Sequence, residues 1–243
     1  YAPGTLTVGV VNLLITANDA SKDYGAALPT LSATYSGLVN GDAAPATAPT
    51  ISTTATAASP VGTYPITASD AADPNYNITY APGTLTVGVV NLLITANNSS
   101  KTYGATQSFS GTEFNTSGLV NSDVVTSVTL TSDATPATAV VGSYDIVPVA
   151  AVGSGLSNYN ISYANGTDVV GVAPLTITAS DQSKCFGQVF AFNFTGTQFT
   201  TVGLLNSDAV NSVSLTSDGA PAPAAPGPYS IVPSDAVGSG LGN

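Results

Sequence analysis

All three lysines of the chain occupy one position of a recurring motif, in which serine and lysine precede an aromatic residue and a glycine. They are Lys22, Lys101 and Lys184. This pattern favours a structural lysine, whose stem packs on the adjacent aromatic ring and whose ammonium binds a carboxylate or turn carbonyls. The alternative is a lysine–asparagine crosslink, formed with loss of ammonia beside a buried carboxylic acid. Its candidate partners are Asn75, Asn77, Asn158 and Asn160, but no glutamate recurs to assist it.

Three aspartates also recur, each in a turn that begins with asparagine. They are Asp42, Asp123 and Asp208. Calcium takes about six to eight oxygen ligands, usually including several carboxylates. One Asn-x-Asp sequence in each copy therefore favours an aspartate that caps its own loop. We expect no cofactor or metal, with calcium at these three aspartates as the alternative.

The residue types needed for catalysis near neutral pH are scarce. The chain has no histidine, which is the usual acid–base group in this pH range. Its single cysteine, Cys185, lies where the other copies have Asp23 and Thr102, and a thiol nucleophile needs a base. We therefore expect no catalytic residues and no enzyme activity, and Cys185 is expected to be a free thiol.

The charge of the chain excludes two classes of partner. Its formal net charge is −11, with only three basic residues. Nucleic acids and anionic membrane surfaces attract clusters of lysine and arginine, so neither is expected as a partner. Apolar runs such as Val8–Val11 are far shorter than the roughly 20 residues that span a bilayer. The sequence shows no signal peptide or transmembrane segment, and we expect it to be part of a longer protein.

Internal repeats determine the predicted organisation of the chain. The sequence of residues 1–10 recurs at residues 80–89, and other motifs recur three times. A period near 80 residues suits small domains that each have a core, placed in tandem. Residues 1–11 are predicted to be the last strand of a preceding repeat. Three repeats are predicted to follow: repeat 1 at residues 12–90, repeat 2 at residues 91–173, and repeat 3 at residues 174–243, which lacks its final strand.

Each repeat has the pattern of an all-β domain. Polar and apolar residues alternate in Leu175–Ala179, and comparison of the copies predicts Leu13, Ile15 and Ala17 as inward and Leu14 as outward. Six or seven short strands in each repeat predict tandem small Ig-like β-sandwich domains. The short joins between repeats predict an elongated, semi-rigid rod. Further strands are predicted at residues 31–35, 50–56, 63–68, 76–80 and 84–89.

Several motifs resemble those of one family of large bacterial surface proteins. The motifs Ser-Lys-x-Tyr-Gly, Ser-Gly-Leu-Val-Asn-Gly-Asp and Val-Gly-Thr-Tyr-Pro-Ile are similar to those of MBG repeats with a Tyr-Gly signature. The chain departs from this pattern at Cys185, Phe186 and Asp168. The resemblance implies an extracellular location on a bacterial cell surface, and a role in adhesion or filament structure.

The sequence therefore predicts a structural stalk or filament segment of a bacterial adhesin. Its expected partners are the adjacent repeats of the same chain and like chains in a fibre. One alternative is that the repeats themselves bind surface glycans or homotypic partners. Another is an accessory module of a secreted glycanase.

Overall fold

A computed structural model describes residues 1–195 and 198–243 as an all-β chain. These residues form eighteen strands, and their one helical segment is a 3-10 turn at Leu156–Asn158. No helix in the described residues is long and apolar enough to cross a membrane.

Repeat 1 contains seven strands in two sheets. The three-stranded sheet has the order β3-β1-β6, and the four-stranded sheet has the order β2-β7-β5-β4. The bounds are β1 Val11–Ala17, β2 Ala20–Asp23, β3 Ala33–Ser36, β4 Thr50–Thr53, β5 Gly62–Ser69, β6 Tyr76–Ala81 and β7 Gly83–Gly88. Of these strands, only β2 has no counterpart among the predicted ones. It is four residues long and pairs in parallel with β7, so its stability depends on a distant partner.

The alternation along β1 places its apolar side chains as predicted. Leu13 and Ile15 are fully buried, while Leu14 between them is 39% exposed. Leu13 and Ile15 pack with Tyr76, and Ala68 of the other sheet also contacts this cluster. A second cluster joins Ala17, Ala55, Ile66 and Leu85. Each buried leucine or isoleucine side chain contributes roughly 1.5–3 kcal/mol of stabilisation.

Residues 1–10 form no strand, and their side chains are exposed. They have the same sequence as residues 80–89, which include β7. Strand β7 lies between β2 and β5, which both precede it in the chain. The assignment of residues 1–11 as the last strand of a preceding repeat stays a prediction.

Repeat 2 repeats this strand order. Its sheets have the orders β10-β8-β13 and β11-β12-β14-β9. The bounds are β8 Val90–Ala96, β9 Ser99–Thr102, β10 Phe114–Ser117, β11 Val125–Thr131, β12 Gly142–Gly153, β13 Tyr159–Ala164 and β14 Gly166–Gly171.

Repeat 3 forms four strands in its described residues. Strand β15, Thr176–Ala179, pairs with β16, Phe199–Val202, and β17, Ala209–Thr216, pairs with β18, Val232–Ser239. The segment that corresponds to β2 and the first part of the segment that corresponds to β5, residues 227–231, form no strand here, and together they line a groove of about 580 Å³. In repeat 1 the equivalent segments flank β7. The groove therefore lies where the last strand lies in repeat 1, and we assign no substrate to it.

Two compact units make up the chain. The first contains Tyr1–Ile94, Thr116–Val128 and Ala150–Tyr163, and the second contains Thr95–Asn115, Thr129–Val149 and Ala164–Asn243. The contacts between repeats 1 and 2, which we call the first junction, thus lie within the first unit. The contacts between repeats 2 and 3, the second junction, lie within the second unit.

Candidate functional site: the junction between repeats

Each repeat carries a tight turn that holds its recurring aspartate. The amide of Asp123 donates to the carbonyl of Val120, and Asn121 and Ser122 between them both have positive φ, 53° and 63°. Two successive left-handed residues closed by such a bond form a type I′ turn. The same bond joins Asp42 to Val39 and Asp208 to Leu205. This backbone geometry presents the aspartate carboxylate at the same place in all three repeats.

In the first junction, the Asp123 carboxylate binds two tyrosines from different repeats. The hydroxyl of Tyr159, in the same repeat, donates to Asp123 Oδ2 at 2.8 Å. The hydroxyl of Tyr24, in the Tyr-Gly pair of repeat 1, donates to the same oxygen at 3.0 Å. The two rings meet edge to face, with centroids 5.8 Å apart. Both tyrosines are buried, so these charge-assisted bonds take the place of hydrogen bonds from their hydroxyls to water.

Backbone contacts complete the first junction. Gly25 has a φ of +79°, and a Cβ placed on it would lie 2.7 Å from Val120 Cγ2. Only glycine tolerates both this conformation and this close approach. On the other side, the amide of Val61 donates to Asn158 Oδ1 at 2.9 Å. Repeats 1 and 2 are therefore joined by side-chain and backbone bonds in addition to the covalent connection.

The second junction uses equivalent positions. Gly104, in the Tyr-Gly pair of repeat 2, packs against Leu205, which corresponds to Val120. The amide of Val141 donates to Asn243 Oδ1 at 3.2 Å, as Val61 does to Asn158. The Nδ2 of Asn206 adds a bond to the carbonyl of Ala137 at 2.7 Å. The junction is thus a recurring feature of the repeat.

A glycine that is distant from the turn in sequence leaves room for the aspartate carboxylate. Gly155 and Gly240 both have a φ of +71°, and a Cβ on either one would clash with the carboxylate of Asp123 or Asp208, respectively. These glycines leave the room that the carboxylates occupy. The same local packing therefore recurs around two of the three aspartates.

The junction changes the acid–base behaviour of Tyr159. Burial raises the pKa of Tyr159 above its ordinary value of 10.0, and the Asp123 carboxylate raises it further, although the Val120 amide opposes them. The hydroxyl must stay protonated to donate to Asp123. The junction consequently favours the neutral tyrosine.

We expect the Tyr159→Phe variant to remove part of the alkaline sensitivity of the chain. A raised folded-state pKa contributes stability that is present below pH 10.0 and is lost as the pH rises through the folded-state pKa. Urea midpoints measured on both sides of pH 10.0 should therefore fall more steeply for the wild type than for the variant. Equal slopes would contradict the role of this hydroxyl.

Two of the three aspartates named as calcium candidates bind tyrosine hydroxyls. Asp42 accepts a bond from the Tyr76 hydroxyl at 2.7 Å, and Asp123 is bound by Tyr24 and Tyr159. No group of three or more histidine, cysteine, aspartate or glutamate side chains that could hold a metal occurs in the described part of the chain. The structure thus places Asp42 and Asp123 on tyrosine hydroxyls, and calcium at the three positions stays an untested alternative.

The Ser122→Gly substitution should stabilise the turn by about 1 kcal/mol, because a non-glycine residue pays roughly that amount in the left-handed region. Repeat 1 already has glycine there, Gly41, with a φ of +83°. The matched reverse variant, Gly41→Ser, should lose a similar amount. Urea denaturation of both variants tests the pair, and changes of the same sign would refute the explanation.

Each of the three lysines binds one backbone carbonyl four residues further along the chain and at least one that is distant in sequence. Lys22 Nζ donates to the carbonyls of Ala26 and Ala57, each at 3.0 Å. Lys101 Nζ binds Ala105 and Pro136, and Lys184 Nζ binds Gln188, Ala220 and Pro221. Each lysine therefore ties the turn after its Tyr-Gly or Phe-Gly pair to a loop about 35 residues further along the chain.

Replacing Lys22 by methionine should destabilise repeat 1 by about 2 kcal/mol, because the carbonyls of Ala26 and Ala57 would lose a charged donor while the stem packing is kept. Lys22 is buried, whereas Lys184 is more exposed. The matched Lys184→Met variant should therefore cost less. Thermal denaturation of both variants shows which one loses more stability, and a Lys22→Met variant as stable as the parent chain would contradict the prediction.

Three of the four asparagines considered as crosslink partners bind other groups through their side chains. Asn77 donates to Asn12 Oδ1, Asn160 donates to Asn91 Oδ1, and Asn158 binds Val61 and Gly155. The lysine–asparagine crosslink stays a prediction for intact mass measurement. Cys185 is a free, exposed thiol.

The inter-repeat partners of the tyrosine and the aspartate are not among the sequence predictions. The sequence favours the tyrosine of the Tyr-Gly motif as a packing surface for lysine, and the recurring aspartate as the cap of its own loop. The recurrence of both in each copy was a usable signal, because a residue that binds the neighbouring repeat must recur with the same period.

The fold and its junctions define a class: a tandem-repeat, all-β chain in which a tyrosine-glycine turn of one repeat contacts an aspartate turn of the next. The family model of the MBG domain (YGX type) matches residues 13–86, 92–167 and 175–243. The chain therefore belongs to this family and contains three tandem copies of its domain. A search of curated proteins finds no match to the chain.

Proposed function

We propose that the chain is a structural spacer: a stalk or filament segment of a bacterial cell-surface adhesin. The observation that carries this proposal is the first junction, where Tyr24 of one repeat and Tyr159 of the next share the Asp123 carboxylate. A flexible linker would need no such contact. Bonds between neighbours at recurring positions are what a stiff spacer requires.

The proposal includes an Ig-like β-sandwich for each repeat and a semi-rigid rod for the series. The connection between repeats 1 and 2 supports it, because β7 ends at Gly88 and β8 begins at Val90. So short a connection leaves little freedom of rotation compared with a Gly/Ser linker. The bond from Val61 to Asn158 restricts the remaining freedom on the other side.

An extracellular location and a non-catalytic role complete the proposal. The charged residues are only 7% of the chain, and the net charge is −11. Such a surface stays soluble through its acidic charge and many hydroxyl side chains. The lysines and aspartates that first suggested chemistry bind backbone carbonyls and tyrosines, which supports a structural role for them.

Electron spin resonance distances test the stiffness of the first junction. In a Cys185→Ser background, spin labels at Thr63→Cys and Thr116→Cys would report on repeats 1 and 2 across it, and both side chains are exposed. We expect one narrow distance distribution, because the junction fixes the two repeats. The Asp123→Ala change should broaden it.

A control pair within repeat 1, Thr30→Cys and Thr63→Cys, should be unaffected by Asp123→Ala. A broad distribution in the parent chain would overturn the rigid-spacer proposal. Glycan arrays probed with the whole chain provide the functional comparison: a spacer should bind no glycan, and specific binding would instead favour an adhesive repeat.

A further inference from the structure

Repeat 2 contains a group of buried oxygen atoms that have no donor. They are both carboxylate oxygens of Asp168 and the Oε1 of Gln107. Among the described residues, these three are the only buried side-chain nitrogen or oxygen atoms without a hydrogen-bond partner. Asp168 is fully buried. Buried polar atoms are rarely left unpaired, and exceptions point to a water molecule or an ion.

Comparison with repeat 1 shows which residue occupies the position of Asp168 in the other copy. Asp168 on β14 pairs with Ser99 on the parallel strand β9, in the register in which Leu85 pairs with Ala20. Leu85 lies in an apolar cluster against which Ala20 packs. Aspartate and leucine branch at the same carbon, so the two carboxylate oxygens of Asp168 correspond to the two methyl groups of Leu85. Repeat 2 thus carries acceptor oxygens at a position that is apolar in repeat 1.

Gln107 belongs to the same group through Ser99. The Nε2 of Gln107 donates to Ser99 Oγ at 2.7 Å, so its Oε1 remains as an acceptor. The Ser99 hydroxyl has one hydrogen to donate and cannot satisfy all three oxygens. The nearest lysine in the sequence, Lys101, donates its ammonium to the carbonyls of Ala105 and Pro136.

A polar cavity adjoins the Ser99 and Gln107 side chains, although Asp168 is not part of its lining. Its volume is about 400 Å³, and its lining includes Asn97, Ser99, Gln107 and Glu113. Hydrogen bonds from Ser110 hold the pKa of Glu113 to about 2, so this carboxylate is ionised at neutral pH. The cavity offers space for water ligands and a path from solvent.

We propose that Asp168, Gln107 and Ser99 form a binding site for a hard cation in repeat 2. Two carboxylate oxygens, an amide oxygen and a hydroxyl are ligands of the type that Ca²⁺ takes, with water from the cavity completing the coordination. The cation supplies the positive charge that a buried carboxylate requires. Repeat 1 does not share the site, because Leu85 takes the place of Asp168 there.

Calorimetric titration of the chain with CaCl2 tests the site. One Ca²⁺ should bind per chain, with a Kd on the order of 10⁻⁴–10⁻³ M, as in extracellular calcium modules. The Asp168→Leu variant has the repeat 1 residue at this position and should fold without binding Ca²⁺. A matched control, Asp133→Asn, removes an exposed carboxylate of the same repeat and should bind Ca²⁺ as the parent chain does.

The Gln107→Glu variant provides a second test, because an added carboxylate ligand should tighten Ca²⁺ binding by about tenfold or more. MgCl2 and NaCl titrations show whether another hard cation occupies the site instead. Two results would overturn the proposal. One is no binding of any of the three cations by the parent chain. The other is binding that persists in Asp168→Leu, which would place the ion on other aspartates.

Discussion

Replacing Asp123 by alanine is expected to lower the free energy of unfolding by about 3 kcal/mol, the largest loss from any single polar side chain of the first junction. The carboxylate accepts hydrogen bonds from Tyr24 and Tyr159, and both rings are buried. Hydrogen bonds to a charged group contribute about 1.5–3 kcal/mol each, and an abandoned buried donor costs further. Urea denaturation followed by tyrosine fluorescence measures the loss.

The corresponding aspartate of repeat 1 supplies a matched control. Asp42 binds the Tyr76 hydroxyl through its Oδ2, so Asp42→Ala should cost roughly half as much as Asp123→Ala. A double-mutant cycle of Tyr24→Phe with Asp123→Asn then isolates the bond between the repeats. A coupling energy near zero would show that the first junction does not depend on this bond, and would weaken the spacer proposal with it.

The all-β fold was predictable because the pattern of buried and exposed residues recurs in each sequence repeat. Comparison of three copies identified Leu13 and Ile15 as inward and Leu14 as outward, and the structure confirms all three. Alternation along a strand is a local property, so it can be derived from neighbouring residues.

The first junction was harder to predict from the sequence because its partners are far apart in the chain. Tyr24 and Asp123 are separated by 99 residues, and no local pattern links them. Strand β2 was missed for a similar reason, since four residues that include Lys22 become a strand only beside β7. In repeat 3 the equivalent residues, near Lys184, form no strand. Long-range pairing therefore decides both features.

The sequence shows that Asp168 departs from the repeat pattern, but it does not show the structural consequence of this departure. Its position in the motif showed that it replaces a leucine, but not that its oxygens would be fully buried without partners. Burial depends on the packing of β14 between β12 and β9. The two repeats thus offer a natural comparison of an apolar and a charged residue at one core position.

Moving the aspartate into repeat 1 tests the cost of that charge. The Leu85→Asp variant should lose about 4 kcal/mol, because an uncompensated buried charge typically costs about 3–5 kcal/mol. Leu85 is fully buried beside Ala17 and Ile66, and its strand partner Ala20 offers no polar group. Urea denaturation of the whole chain measures the loss, which added CaCl2 should leave unchanged.

The neutral variant Leu85→Asn separates charge from shape, since asparagine has the same branching and no charge. It should lose less than Leu85→Asp, because a buried amide without partners costs about 1–3 kcal/mol. Equal losses would show that polarity, and not charge, sets the penalty at this position. In that case Asp168 in repeat 2 would need only hydrogen-bond donors, such as water, and its need for a cation would lose its energetic basis.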